Sequence, residues 1–150
     1  MRVVIQRVSE ATVTINETVK SKIGRGALIL IGIEEADTHE DVEWLSAKIS
    51  KLRIFADADG KMNLSINESG GNVIVVSQFT LHASTKKGNR PSFIKAAQPE
   101  KAFQIYTAFV KALEKDIGKP VQTGEFGTYM NVKLVNDGPV TIFIDTKNKE

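Results

Sequence analysis

The chain contains no cysteine and only two histidines, His39 and His82. The first absence excludes disulfides, thiolate nucleophiles, iron–sulfur clusters and thiolate zinc sites together. The second excludes a multi-histidine metal centre, so a metal would have to rest on carboxylates. Chemistry must come from hydroxyls, backbone groups, acids or the substrate itself, and neither metal nor cofactor is expected. Long apolar runs are missing too. Ala27–Ile31 is far shorter than the ~18 residues of a membrane span, and the start Met1-Arg2-Val3-Val4-Ile5-Gln6 has no signal-peptide core. A cytoplasmic protein with no membrane partner is the expectation. Net charge is small as well: 20 Lys and Arg against 18 Asp and Glu leave +2, so any site for nucleic acid must be a local basic patch.

What is present suffices for one core. With 150 residues, 41% apolar and 25% charged, residues 1–150 read as a single domain, with a polar tail at 146–150 expected to fray. Val3, Ile5 and Val8, then Ala11, Val13 and Ile15 alternating with polar residues, predict one or two half-buried strands, and Asn16-Glu17 a turn. Gly24-Arg25-Gly26 bends the chain into Ala27–Ile33, apolar enough for a strand covered on both faces. Thr38 and Asp41 resemble a capping box, and Val42, Leu45, Ile49 and Leu52 follow at helical spacing, predicting a helix over 39–51. Arg53-Ile54-Phe55 reads as a short strand. Asp57, Asp59 and Asn63 form a turn, since Gly60 stands fourth where a calcium loop needs its glycine sixth. Ser69-Gly70-Gly71 reads as another turn. Phe103, Tyr106, Val110, Leu113 and Ile117 predict a helix over 99–117, stopped by Gly118 and Pro120. Strands over 121–123, 129–135 and 140–145 complete the pattern.

Three segments carry candidate chemistry. Asn72–Leu81 reads as an interior strand whose end, Ser77-Gln78-Phe79-Thr80-Leu81-His82, becomes polar. On a strand Gln78, Thr80 and His82 share one face, but same-face neighbours stand about 7 Å apart, too far for a Thr80–His82 dyad. A sheet end satisfying its own backbone is the other reading. His82–Ala97 lacks periodicity and carries Lys86, Lys87, Arg90 and Lys95, either a solvated loop or a set of phosphate contacts. Asn136-Asp137-Gly138-Pro139 between two strands reads as a hairpin turn with a trans bond, although a cis Gly138–Pro139 would turn its carbonyls outward as an acceptor pair.

Arg2-Val3-Val4-Ile5-Gln6-Arg7-Val8, Met62-Asn63-Leu64, Ser77-Gln78-Phe79-Thr80-Leu81, Lys87-Gly88-Asn89-Arg90-Pro91-Ser92-Phe93 and Asn136-Asp137-Gly138-Pro139-Val140-Thr141 together resemble the D-aminoacyl-tRNA deacylase, or D-tyrosyl-tRNA(Tyr) deacylase, family almost end to end. The resemblance implies a three-layer α/β/β fold with two packed β-sheets and two main helices, in a homodimer. It implies hydrolysis of the ester joining a D-amino acid, or mischarged glycine, to the 3′ end of tRNA, without a cofactor. Backbone N–H groups at Phe79 and Thr80 are then the expected oxyanion donors, Ser77 and Gln78 shape the pocket, and the ribose 2′-hydroxyl of the tRNA positions the attacking water. Gly138 and Pro139 would enter the partner subunit's pocket and hold the substrate ammonium, steadied by Arg7. Lys86, Lys87, Arg90 and Lys95 would meet the acceptor stem. His82 receives no catalytic role, and DNA is not an expected partner. The rival readings are a freestanding editing enzyme for a mischarged L-amino acid and a non-catalytic tRNA-binding module.

Overall fold

The computed structural model describes residues 1–150. Arg2–Ile15 is one long strand, β1, rather than two: Val3, Ile5, Val8, Ala11 and Val13 point inward, and the alternation slips on either side of Val8 without ending the strand. Asn16 and Glu17, with φ of 47° and 64°, form the tight turn that returns the chain as β2 (Thr18–Ile23), antiparallel to the second half of β1. The first half of β1 pairs instead with β3 (Gly26–Gly32). On its other side β3 pairs in parallel with β6 (Asn72–Ser77), and β6 with β7 (Gln122–Thr123); β3 is apolar on both faces because a core covers each, Ile29 and Ile31 on one side and Leu28 on the other. Along the remaining side of β1 runs β8 (Asn131–Asp145).

Because β1 changes neighbour halfway, the six-stranded sheet curls toward a barrel, and Ser21 on β2 donates its hydroxyl proton to the Thr123 carbonyl on β7 at 2.5 Å. Two cores result. Val8, Ala11, Val13, Ile23, Leu28, Ile74 and Val76 fill the inside of the curl. Val3, Ile5, Ile29, Ile31, Val73 and Val75 face the other way and pack under α1 (His39–Lys51) and α3 (Pro99–Ile117). The small ribbon of β4 (Phe55–Ala56) and β5 (Met62–Leu64) is the only other sheet, so one curled sheet with a ribbon stands where two packed sheets were expected.

Both long helices begin and end where the sequence pattern puts them. The Thr38 N–H donates to the Asp41 carboxylate at 2.9 Å, and Gly118, at φ 69°, closes α3 in a conformation only glycine adopts freely. Phe109 on α3 is fully buried, and truncating such a ring to alanine costs about 3–5 kcal/mol. Tyr106 donates its hydroxyl proton to the Val75 carbonyl at 3.0 Å, and burial pushes its pKa up to about 12, so it tethers α3 to β6 as a neutral phenol. A single-turn helix, α2 (Ile66–Ser69), was not expected; Ser65 and Glu68 cap its start reciprocally and Gly70 its end.

Three expectations are corrected. The interior strand ends at Ser77, and Phe79–His82 is a 3-10 turn: β3 stops at Gly32, no ladder remains beyond it, and the backbone satisfies itself locally. Asn136–Pro139 is not a hairpin. Both halves of β8 run along the same side of β1, and Asn136 opposite Val8 is followed by Thr141 opposite Gln6, which leaves 137–140 as a bulge around Arg7. The tail does not simply fray. Thr146 is buried against Met1, and Lys147 donates to Asp41 at 2.7 Å. Burial alone would raise the Asp41 pKa, but hydrogen bonds from Lys147, Thr146 and Thr38 outweigh it and hold the carboxyl well below the usual range. No helix is long and apolar enough to cross a membrane.

Candidate active site

The end of β6 opens into a cavity of about 630 Å³. Ser77, Gln78 and Phe79 form one wall, Ile31 from β3 and Ile33 just beyond its end the floor, Ala96–Ala102 a second wall, and Phe126–Met130 with Val132 the third. The lining is mostly apolar, with Ser77, Gln78, Thr128 and Tyr129 among its polar side chains, which suits a small organic group read by few polar contacts. Phe126 is held edge-on by Phe103 at 5.4 Å, and Phe79 by Phe93 at 5.1 Å. Tyr129 stands 84% exposed at the rim.

The 3-10 turn beside this cavity has a specific electrostatic character. The Gln78 N–H donates to the Ile31 carbonyl at 2.7 Å, as the last bond of the parallel ladder. Leu81 N–H donates to Gln78 O at 3.2 Å and Ala83 N–H to Thr80 O at 3.0 Å. Phe79 and Thr80 lie between these donors and open the turn, so their own N–H groups have no carbonyl to reach. Two adjacent free donors at a helix-like N-terminus form a seat for negative charge. The guanidinium of Arg2 fixes the far end of the turn by donating to the Leu81 carbonyl at 3.0 Å.

Thr80 accepts a hydrogen bond from the Gln78 side-chain amide at 2.5 Å, and no acid or imidazole bonds to its hydroxyl. His82 does not serve it: the ring is 1% exposed and neither nitrogen has a partner. The same-face geometry expected of a strand is therefore absent, yet its consequence stands, because there is no Thr80–His82 dyad.

Gly138 and Pro139 lie elsewhere. Neither they nor Arg7 line the cavity of their own chain. The Gly138–Pro139 bond is cis, against the expectation from sequence alone, and both residues are exposed on the bulge of β8. Arg7 reaches into the bulge, donating from Nε to the Asp137 carbonyl at 2.9 Å and from Nη1 to the Ile54 carbonyl at 2.7 Å. Asn136 completes the frame: its Oδ1 accepts the Val140 N–H at 2.9 Å and its Nδ2 donates to the Thr141 hydroxyl at 2.9 Å. Lys86, Lys87, Arg90 and Lys95 all project into solvent from the loop after the turn, and the Ser84–Ser92 backbone pair at 2.8 and 2.9 Å closes that loop at its base.

Sequence reasoning thus found one wall of the cavity and missed the others. Phe126 and Tyr129 sit in the glycine-bracketed run Gly124-Glu125-Phe126-Gly127-Thr128-Tyr129, whose aromatic content was the available signal. Ala96–Ala102 gave none, since small residues at a helix start carry no chemistry.

A family model described as D-Tyr-tRNA(Tyr) deacylase matches residues 4–145. Proteins named D-aminoacyl-tRNA deacylase from Parabacteroides distasonis and Bacteroides fragilis are 60% and 63% identical over 150 residues, covering the whole of each chain. A solved structure described as c-Myc DNA Unwinding Element Binding Protein superposes with a TM-score of 0.92 at 40% identity, covering 97% of this chain and 98% of that one. A second, described as a probable eukaryotic D-amino acid tRNA deacylase, shares the fold at a TM-score of 0.80 and 17% identity, over 95% and 97% of the two chains. With a match that spans the fold, the cavity and the bulge alike, this chain belongs to the D-aminoacyl-tRNA deacylase family, hydrolases that cleave an ester bond in the proofreading of charged tRNA.

Proposed function

We propose that the free N–H groups of Phe79 and Thr80 are the oxyanion donors of this hydrolysis, and that a homodimer completes the site. An aminoacyl ester is already activated, so its cleavage asks for orientation and charge stabilisation more than for a strong base. The ester carbonyl oxygen rests on the two N–H groups beside Ser77 and Gln78. Water, positioned by the tRNA 2′-hydroxyl, adds to the carbonyl carbon, and the negative charge that develops on oxygen strengthens both hydrogen bonds. The carbon–oxygen bond to the ribose 3′-oxygen then breaks, the 3′-oxygen takes up the proton, and free D-amino acid leaves. The observation that carries this reading is the pair of adjacent unpaired donors at a cavity wall with no nucleophile–base pair beside them.

The homodimer reading rests on what the chain does with Gly138 and Pro139. The bulge is held by Arg7 and Asn136, yet its glycine and proline are exposed and line no part of the chain's own cavity. β8 also leaves its outer edge unpaired, with Val135 46% and Phe143 58% exposed along it. In a second copy's cavity the Gly138 and Pro139 carbonyls would accept the substrate ammonium, and a side chain of L configuration would meet that wall. Glycine has nothing to collide, so glycyl-tRNA is accepted too. Lys86, Lys87, Arg90 and Lys95 meet acceptor-stem phosphates, the setting is the cytoplasm, and DNA is not a substrate, a point that the name of the 40% identical neighbour makes worth a control.

Hydrolysis of D-tyrosyl-, L-tyrosyl- and glycyl-tRNA by purified protein of measured mass tests the whole reading, with duplex DNA as competitor. The expected result is a dimer that cleaves the D and glycyl esters, leaves the L ester and ignores the DNA. Preference for the L ester would instead identify an editing enzyme for a mischarged L-amino acid, and full activity in a monomer would remove the shared site.

A further inference from the structure

Gly32 ends β3 beside the point where the 3-10 turn leaves the sheet. A Cβ placed on it would stand 2.9 Å from the backbone oxygen of Gln78, 3.0 Å from Cδ2 of His82 and 3.0 Å from Cβ of Leu81. Its φ lies outside the left-handed region, so glycine is required here for space and not for conformation. The turn lies directly on bare backbone. His82 supplies the second half of the contact. Its ring is 1% exposed, and neither Nδ1 nor Nε2 has a hydrogen-bond partner. A buried polar ring without partners gives up its hydration for no polar return, and a ring with no group to exchange a proton with is no general base. Its flat edge against Gly32 is the contact that remains.

The ends of the turn are pinned by the Gln78 N–H on Ile31 O at 2.7 Å and by Arg2 on Leu81 O at 3.0 Å. Between these pins the turn lies in close contact with Gly32, so the packing there sets how near it stands to the sheet. We infer that Gly32 and His82 are positioning residues of the reaction: together they form the seat that fixes the N–H groups of Phe79 and Thr80 against the substrate carbonyl. The inference rests on the reading of those groups as oxyanion donors. Such donors work within a window of about 2.7–3.1 Å from the developing charge, and a new Cβ that must lift the turn by a few tenths of an ångström moves them out of it.

The experiment is steady-state hydrolysis of D-tyrosyl-tRNA by Gly32→Ala, His82→Ala, His82→Leu and the Gly32→Ala/His82→Ala double variant, with amide ¹H–¹⁵N shifts recorded for Phe79 and Thr80. Gly32→Ala is expected to lower kcat about 30-fold with KM within about threefold, because the lost interaction belongs to the transition state. His82→Ala should lower kcat about tenfold by unseating the turn, and the double variant should lose less than the product of the two, since the added and removed atoms meet at one contact. His82→Leu, close in volume and free of polar atoms, should keep kcat within about twofold and leave the pH profile unchanged. The His82 pair decides the matter even where Gly32→Ala does not fold. The inference is overturned where both amides stay in place and kcat is unaffected in Gly32→Ala and His82→Ala. It is also overturned where His82→Leu shifts the pH profile, which would make the ring a proton carrier. Amides that move while kcat holds would leave the seat real but refute the oxyanion reading, and the positioning role with it.

Discussion

The turn at Phe79–His82, just past the end of β6, and the bulge at Gly138–Pro139, inside β8, are both places where strand pairing breaks off, and they are built in opposite ways. The turn is clasped from within: a ladder bond at Gln78, the Arg2 guanidinium at Leu81, and bare backbone at Gly32 beneath. It faces the cavity of its own chain. The bulge is braced from one side only, by Arg7 and Asn136, and displays its glycine and proline to solvent away from that cavity. One element offers hydrogen-bond donors and the other, under the proposed reading, acceptors. An aminoacyl ester needs both, donors for the carbonyl oxygen and acceptors for the ammonium. A chain that holds its donors inside and presents its acceptors outside has half a site in each direction, which is why a second copy is the natural complement.

The largest effect should come from removing a donor at the turn. Phe79→Pro does this. The Phe79 N–H bonds to nothing in the chain, and Gln78, at φ −146° and ψ 80°, already has a backbone that tolerates a following proline. Phe79→Ala is the control, losing the ring against Phe93 but keeping the N–H. The ratio of kcat between the two variants should be about 10²–10³, the usual worth of one oxyanion donor. Equal rates would show that the turn acts through side chains.

Next in size is Gly138→Ala. Gly138 has φ 138°, and a Cβ there would stand 2.9 Å from Cγ2 of Val140 and 3.0 Å from Nη2 of Arg7. Displacing the bulge and its arginine brace together should lower kcat/KM on D-tyrosyl-tRNA about tenfold to a hundredfold, since misplacement of about 1 Å costs that much. Thermal unfolding should report a loss of about 1–3 kcal/mol, the cost of a side chain in a sparsely populated backbone region. Activity within threefold of wild type in a folded protein would place the bulge outside the site.

A smaller effect belongs to the loop between the two elements. Lys86→Ala/Lys87→Ala removes two exposed cations that make no ion pair within the chain. KM should rise severalfold, and its dependence on log salt should flatten by about 2, near one counterion per lysine, with kcat unchanged. A loss confined to kcat would assign these lysines to the chemistry instead.

How far each element could be read from sequence follows from what defines it. Helices α1 and α3 are set by apolar spacing and by local end signals, Thr38 with Asp41 and Gly118 with Pro120, so both were legible at their boundaries. The turn was not. Whether Phe79–Leu81 continues a strand depends on whether β3 still runs alongside, and nothing in residues 77–82 encodes that β3 stops at Gly32. The bulge failed for a related reason: Asn-Asp-Gly-Pro is strong turn chemistry, and only pairing of both halves of β8 with one side of β1 shows that the chain never reverses. The tail was misread as well, because its polarity gave no hint that Asp37 and Asp41 wait for Lys147. In the candidate site, the residues proposed to carry chemistry were visible by type, while Gly32 and the cavity's other walls were defined only by what folds against them.

The smallest expected effect sharpens the comparison most, because it separates backbone from side chain at one residue. Thr80 contributes a hydroxyl as well as an N–H, and the hydroxyl is the group that would act as a nucleophile. A threonine oxygen attacks only when a base takes its proton. Here the hydroxyl oxygen receives a hydrogen bond from Gln78, and His82, the only imidazole nearby in sequence, is buried without a partner. Thr80→Ala removes the hydroxyl and leaves the N–H where it was, held by the same backbone bonds at Gln78, Leu81 and Ala83. It should therefore retain kcat within about threefold, with the residual loss reflecting the freed Gln78 amide. A covalent aminoacyl–protein species, trapped by rapid acid quench and detected by mass, that is present in wild type and missing in Thr80→Ala would reverse this assignment and make the side chain the agent. With no such species and kcat preserved, the turn works through its main chain, and the donors it offers come from the way β3 ends beneath it.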